Sequence, residues 1–263
     1  MKVLIRNNKV ILADGQAIKW QSGGDTPLKV LTHNNKLLLT NGQALRNLKL
    51  PAAYTELPYL VATDNSKAWI DTGIPYQNGC KIEIKTTLYG NSNLFGVFYT
   101  TARCRGYWSS GTAIFNIGPA ANDAIYPQIA GYSINDTVVW TCTANTDTKD
   151  ISIIIGDKSD IRTASQSSTI AYDTSPYNIY LFAVNRTNAE TAVQGTRIIH
   201  YFKYWDNNGN LLLDLIPVER KSDGVLGMYN QVDGRFLTNI STGTFYKEVP
   251  ASADEEIDDM EIV

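Results

Sequence analysis

The run Arg103 to Gly111 (RCRGYWSSG) sets two arginines, a tyrosine and a tryptophan beside small polar residues. That mixture suits sugar recognition, in which an aromatic face stacks on the apolar side of a pyranose and nearby polar groups hydrogen-bond its hydroxyls. Arg105, Tyr107 and Trp108 are the candidates here, placed at a loop or a strand end. Tyr126 and Tyr132, which bracket YPQIAGY, and Asn185 with Arg186, in the run NRTN, are further candidates. For Tyr107 and Trp108 the sequence leaves ligand stacking and core burial equally open. Trp69, Trp140 and Trp205 lie inside strand patterns and read as core.

Covalent and metal chemistry are poorly served. The chain has two histidines, His33 and His200, so a nucleophile, base and acid arrangement has one candidate base outside the N-terminal segment. His200 alternates with Ile198 and Phe202, the pattern of a structural strand residue. Cys80, Cys104 and Cys142 are odd in number and widely spaced. They fit neither a disulfide framework nor a zinc pattern and read as small buried hydrophobes. Asp206 to Asn210 (DNNGN) offers oxygens of the kind Ca²⁺ accepts but lacks the distal carboxylate of a full loop. A hairpin turn accounts for the same residues. The expectation is a chain with no catalytic residue, no cofactor and no metal.

The elements that must position the candidates are strands. Cys80 to Leu88 alternates strictly, with Lys81, Glu83 and Lys85 on one face and Ile82, Ile84 and Leu88 on the other. Further strand-like runs are 94–100, 113–117, 137–143, 151–155, 178–184, 197–205 and 210–216, with turn signals at Asn207-Asn208-Gly209, Asp223-Gly224 and Asp233-Gly234. No stretch has helical periodicity. Many short strands over about 200 residues predict an all-β, two-sheet antiparallel sandwich.

Ahead of it lies a repeat. Lys2 to Lys19 (KVLIRNNKVILADGQAIK) and Lys29 to Arg46 (KVLTHNNKLLLTNGQALR) match closely, with Asn-Asn and then Asp-Gly or Asn-Gly at turn positions. Each copy predicts a three-stranded meander, too small to stand alone. The organisation expected is a duplicated attachment or oligomerisation segment at 1–50, a sandwich at 51–249 and an acidic tail at 250–263. The formal charge of -3 is a cancellation among them: the head is basic, the sandwich mildly acidic, and the tail carries six acids and no base.

Composition excludes several classes. With 43% hydrophobic, 10% aromatic and 19% charged residues the chain is not of the disordered type. No apolar run reaches the roughly 18 residues of a membrane span, and Arg6 to Lys9 interrupts any secretory core, so neither membrane nor signal peptide is expected. The basic head lacks interleaved aromatics, which argues against nucleic acid.

The entry segment Tyr54 to Ile74 and the exit segment Leu181 to Phe245 resemble the concanavalin A-like, or laminin-G-like, jelly-roll domains of bacteriophage structural proteins. The matching pieces of the exit are LFAVN at 181–185, RIIHYFKYWDNNGNLLLDLIPV at 197–218, GMYNQVDGRFLTN at 227–239 and TGTF at 242–245. The resemblance implies a lectin-like domain shown on a virion surface, as a fibre or capsid-decoration subunit made in the bacterial host cytoplasm. It implies binding to host-surface carbohydrate. By architectural analogy, residues 1–50 would join a homo-oligomer, a trimer, or dock on other virion proteins. The same fold family includes glucanases with a Glu-x-Asp-x-x-Glu motif. Glu256, Asp258 and Glu261 reproduce that string, but at the chain's acidic end rather than on a central strand. They read as a solvated or docking tail, and the protein is expected not to be an enzyme.

Overall fold

The computed structural model describes residues 50–63, 67–77, 79–98, 103–118, 126–144, 150–163, 176–186 and 194–250, and six short strands before them. The chain divides into two compact units, Met1–Leu48 and Lys49–Val263. The acidic string with Glu256, Asp258 and Glu261 lies outside the described residues.

In the first unit, β1 (Leu4–Arg6), β2 (Lys9–Ile11) and β3 (Ala17–Ile18) form one antiparallel sheet, and β4 (Leu31–His33), β5 (Lys36–Leu38) and β6 (Ala44–Leu45) form another. Leu4 pairs with Ile11 and Val10 with Ile18; in the second copy Leu31 pairs with Leu38 and Leu37 with Leu45. The sequence repeat is therefore a repeat of register. The turns predicted at Asn7-Asn8, Asp14-Gly15, Asn34-Asn35 and Asn41-Gly42 fall outside the described residues.

The second unit begins with β7 (Tyr54–Glu56), β8 (Leu60–Ala62), β9 (Ile70–Pro75), β10 (Lys81–Thr87), β11 (Ser92–Phe98), β12 (Arg103–Ser109), β13 (Thr112–Gly118) and β14 (Gln128–Ala130). It continues through β15 (Thr137–Ala144), β16 (Asp150–Ile155), β17 (Lys158–Thr163), β18 (Asn178–Leu181), β19 (Asn185–Arg186), β20 (Arg197–Trp205), β21 (Leu211–Arg220), β22 (Leu226–Asn230) and β23 (Phe236–Thr238). They make two sheets. One runs β17-β16-β15-β10-β20-β21-β22-β23, with β7 on β21 and β8 on β20; the other runs β14-β13-β12-β11-β18-β9. The pairing is antiparallel except for β19, which lies parallel to the end of β11.

Period-two alternation turns one face of each sheet inward. Ile82, Ile84, Trp140, Cys142, Phe202 and Tyr204 from the larger sheet meet Phe95, Val97, Cys104, Trp108, Phe115 and Leu181 from the smaller in one core. Phe95 and Phe202 touch across it with ring centroids 5.6 Å apart, edge to face. The three cysteines are free and buried, as small core hydrophobes are. Burial pushes the Cys104 and Cys142 thiols well above their ordinary range, so they are not poised to react. Of the tryptophans expected in the core, Trp140 is fully buried. Trp69 and Trp205 are half-buried, and Trp205 lies on the outer face beneath the Lys81 ammonium, 4.7 Å from the ring centroid.

Candidate functional site

The structure places Arg103 to Ser109 as a full strand, β12, and not as a loop or strand end. In the middle of a sheet its side chains must alternate. Cys104, Gly106 and Trp108 turn inward, while Arg103, Arg105, Tyr107 and Ser109 turn outward. Trp108 is 3% exposed and belongs to the core. It is thereby removed from the ligand-facing candidates, and its neighbour Tyr107 stays on the open face.

The partner strand β11 builds the rest. A bulge between Asn93 and Phe95 shifts the register, so that Asn93 lies opposite Tyr107, Gly96 opposite Arg105 and Phe98 opposite Arg103. Directly opposed residues share a face, so these pairs stand together on the outer surface. Gly96 has φ +150°, a conformation reserved for glycine, and a Cβ built there would lie 2.5 Å from the Arg105 Cβ. The absent side chain is what opens the floor beneath Arg105. One step along, the relation reverses on the inner face, where the Phe95 ring occupies the space a Gly106 side chain would take.

The outcome is a cleft of about 260 Å³ lined by Asn93, Phe98, Arg105, Tyr107, Ser109, Val184, Arg186 and Gln194. Pockets for drug-sized ligands run from roughly 300 to 1,000 Å³, so this one is sized for a small ring or one end of a larger ligand. Phe98 is its hub: the guanidinium carbons of Arg103, Arg105 and Arg186 lie 4.0, 5.6 and 5.6 Å from its ring centroid. Arg105 also stacks on Tyr107, at 4.4 Å. Cation–π contacts of this kind hold guanidinium groups in place. Burial chiefly lowers the pKa of Arg103, and the like charge of Arg105 acts in the same direction against the neighbouring Tyr126 phenol. Asn93, Ser109 and Gln194 bring amide and hydroxyl groups to the same cleft.

Three of the sequence candidates therefore converge, namely Arg105, Tyr107 and Arg186. The others do not line the cleft. Tyr126 stands beside it, its hydroxyl accepting from Arg103 Nη1 at 3.5 Å. Asn185 is turned to structure, donating from Nδ2 to the Asn178 carbonyl at 3.0 Å. Tyr132 is remote, donating its hydroxyl to the Ile155 carbonyl at 2.8 Å with Lys158 over its ring at 4.5 Å. Sequence reasoning missed Asn93, Phe98, Ser109 and Gln194. The alternation of β12 marks Ser109, whereas Phe98 and Gln194 arrive through pairings between distant segments.

Elsewhere the polar residues singled out in the sequence are satisfied locally. His200 donates from Nδ1 to the Pro58 carbonyl at 2.9 Å, which leaves Nε2 to accept from Thr87 at 2.8 Å. The Asp206 carboxylate accepts from the amides of Asn208 and Asn210, at 2.9 and 2.7 Å, and from Asn210 Nδ2 at 2.9 Å. Its oxygens close a hairpin turn. Among the described residues no group of three His, Cys, Asp or Glu side chains is placed to hold a metal.

No protein-family model and no curated protein matches the chain. Solved structures similar to it include domains LG4-5 of the mouse laminin alpha1 chain, at 12% identity and a TM-score of 0.47, over 67% of this chain and 50% of that one. Another is the heptameric SAP-like pentraxin from Limulus polyphemus, at 7% identity and a TM-score of 0.42, over 75% of this chain and 90% of that one. The chain thus spans about half the length of the laminin structure it matches.

Proposed function

We propose that this protein is a phage virion surface subunit whose sandwich binds host-surface carbohydrate in the cleft between Arg105, Tyr107 and Arg186. The observation that carries the binding role is the convergence, on one solvent-facing sheet surface, of two rings, ordered guanidinium groups and three amide or hydroxyl side chains around a space of about 260 Å³. That is the chemistry a pyranose needs. Among the described residues no carboxylate lines the cleft, and the role proposed is binding rather than cleavage of a glycosidic bond. The virion setting rests on the resemblance of residues 181–245 to phage structural domains, and the oligomeric role of residues 1–50 on their duplicated sheets.

A glycan array and a host-cell binding assay, run with the parent chain and with Tyr107→Ala, test the binding role. The expected result is glycan-dependent binding by the parent and loss by the variant with a stability change of about 1 kcal/mol or less. A parent that binds neither cells nor any arrayed glycan, in any oligomeric state, would leave the domain as structural decoration.

A further inference from the structure

Among the described residues several arginines stand beside a carboxylate close in sequence. Arg162 pairs with Asp160 at 3.0 Å, Arg220 with Asp223 at 2.6 Å and Arg235 with Asp233 at 2.6 Å, each within three positions in sequence. Arg105 and Arg186 have no such neighbour. Among the described residues no carboxylate pairs with either, and their contacts are the rings of Phe98 and Tyr107. The Arg105 Nε is buried without a hydrogen-bond acceptor among the described residues. Arg105 and Arg186 bring like charges to one phenyl ring, where they repel one another, and their fork-shaped N–H edges match a planar or tetrahedral oxyanion.

We infer that the glycan taken by this cleft is acidic: a carboxylate or sulfate group on a terminal pyranose binds between the Arg105 and Arg186 guanidinium groups. This rests on the carbohydrate reading above and narrows it to a substrate class. Neutral hydroxyls of the same ring fall to Asn93, Ser109 and Gln194. The anion relieves the repulsion within the arginine cluster, and because Arg105 is already packed against two rings, little side-chain freedom is lost on binding.

The test uses the full chain and isothermal titration with four probes: trigalacturonate, its methyl ester, a sulfated galactan oligosaccharide and the same oligosaccharide desulfated. The expected result is that at least one charged probe binds about tenfold or more tightly than its uncharged counterpart, with affinity falling as salt is raised. Which charged probe binds separates carboxylate from sulfate. Arg105→Gln and Arg186→Gln each lose about tenfold, the size of one charge-assisted hydrogen bond, whereas Arg162→Gln loses nothing. Equal binding of charged and uncharged probes, with both arginine variants unaffected, overturns the inference and leaves carbohydrate binding standing. Binding of an oligothymidylate as tight as that of the best sugar makes the cleft a general anion site and also overturns it. A parent chain that takes none of the four probes and no acidic glycan on the array overturns it together with the carbohydrate reading.

Discussion

Gly96 lies directly across the β11–β12 ladder from Arg105, and a methyl group added to it would come within 2.5 Å of the Arg105 Cβ and 2.6 Å of the Cys104 carbonyl oxygen. Both obstacles are backbone or backbone-proximal atoms, so neither can swing aside. Gly96→Ala is therefore expected to displace Arg105 and to strain a φ of +150°. The combined effect should be roughly 2 kcal/mol or more of lost stability. Thermal denaturation checks the stability loss, and the same sample should show weakened glycan binding. An alanine variant with unchanged melting temperature and binding would mean that the cleft floor is not as described.

Tyr107 and Trp108 are sequence neighbours with opposite assignments, and truncation separates them. Trp108→Ala empties a core position and should cost about 3 to 5 kcal/mol, lowering the melting temperature by roughly 10 °C. Tyr107→Ala removes an outward ring over which Arg105 lies. It should change stability by about 1 kcal/mol or less and act on binding. Calorimetry on the two variants reads the difference. The reverse order of melting temperatures would place the strand on the wrong register, since a shift of one residue exchanges its faces.

His200 gives the fold a pH dependence of definite sign. Burial holds its pKa below the ordinary value of 6.5, the Pro58 hydrogen bond opposes this, and the nearby charge of Lys85 adds to it. The folded protein therefore resists protonation that the unfolded chain accepts. The stability this group contributes is complete above about pH 6.5 and is lost as pH falls through the depressed folded value. His200→Gln should lower stability at pH 7.5 by about 1 to 2 kcal/mol, from the hydrogen bonds to Pro58 and Thr87. It should also flatten the profile between pH 7 and 5. A variant whose melting temperature falls with acid as steeply as the parent's would assign that dependence elsewhere.

The duplicated head predicts association. Its two sheets are built of strands of two or three residues, which bury too little apolar surface to stand alone. Light scattering on the full chain should give a mass near three times that of one chain, and a chain starting at Ala52 should run as a monomer. Monomers in both cases would refute self-association through residues 1–50.

Much of this architecture is legible in the letters. The alternation of CKIEIKTTL places Lys81, Glu83 and Lys85 outward and Ile82 and Ile84 inward, as the structure has them. The two N-terminal copies carry one register because they carry one pattern of turns and apolar residues. The cleft was legible only in part. Arg105 and Tyr107 share a face of β12 by their spacing alone, but the side on which Trp108 falls depends on recognising RCRGYWS as a central strand. Gly106 interrupts its apolar face and hides that pattern. Phe98 and Arg186 meet through the parallel pairing of β19 with β11, a contact between remote segments that no local periodicity encodes. Gly96 lies inside the strand-like run 94–100, and its role shows only once its partner across the ladder is known.

The central claim, that the outer face of the seven-stranded sheet binds sugar at Arg105 and Tyr107, is tested most directly by mapping the site on the protein. A ¹⁵N-labelled full chain titrated with the tightest probe from the glycan series should show amide shift changes centred on Asn93, Phe98, Arg105, Tyr107 and Arg186. The opposite outer surface around Lys81, Tyr201 and Trp205 should be unmoved. Changes centred on that opposite surface, with the cleft residues silent, would contradict the account.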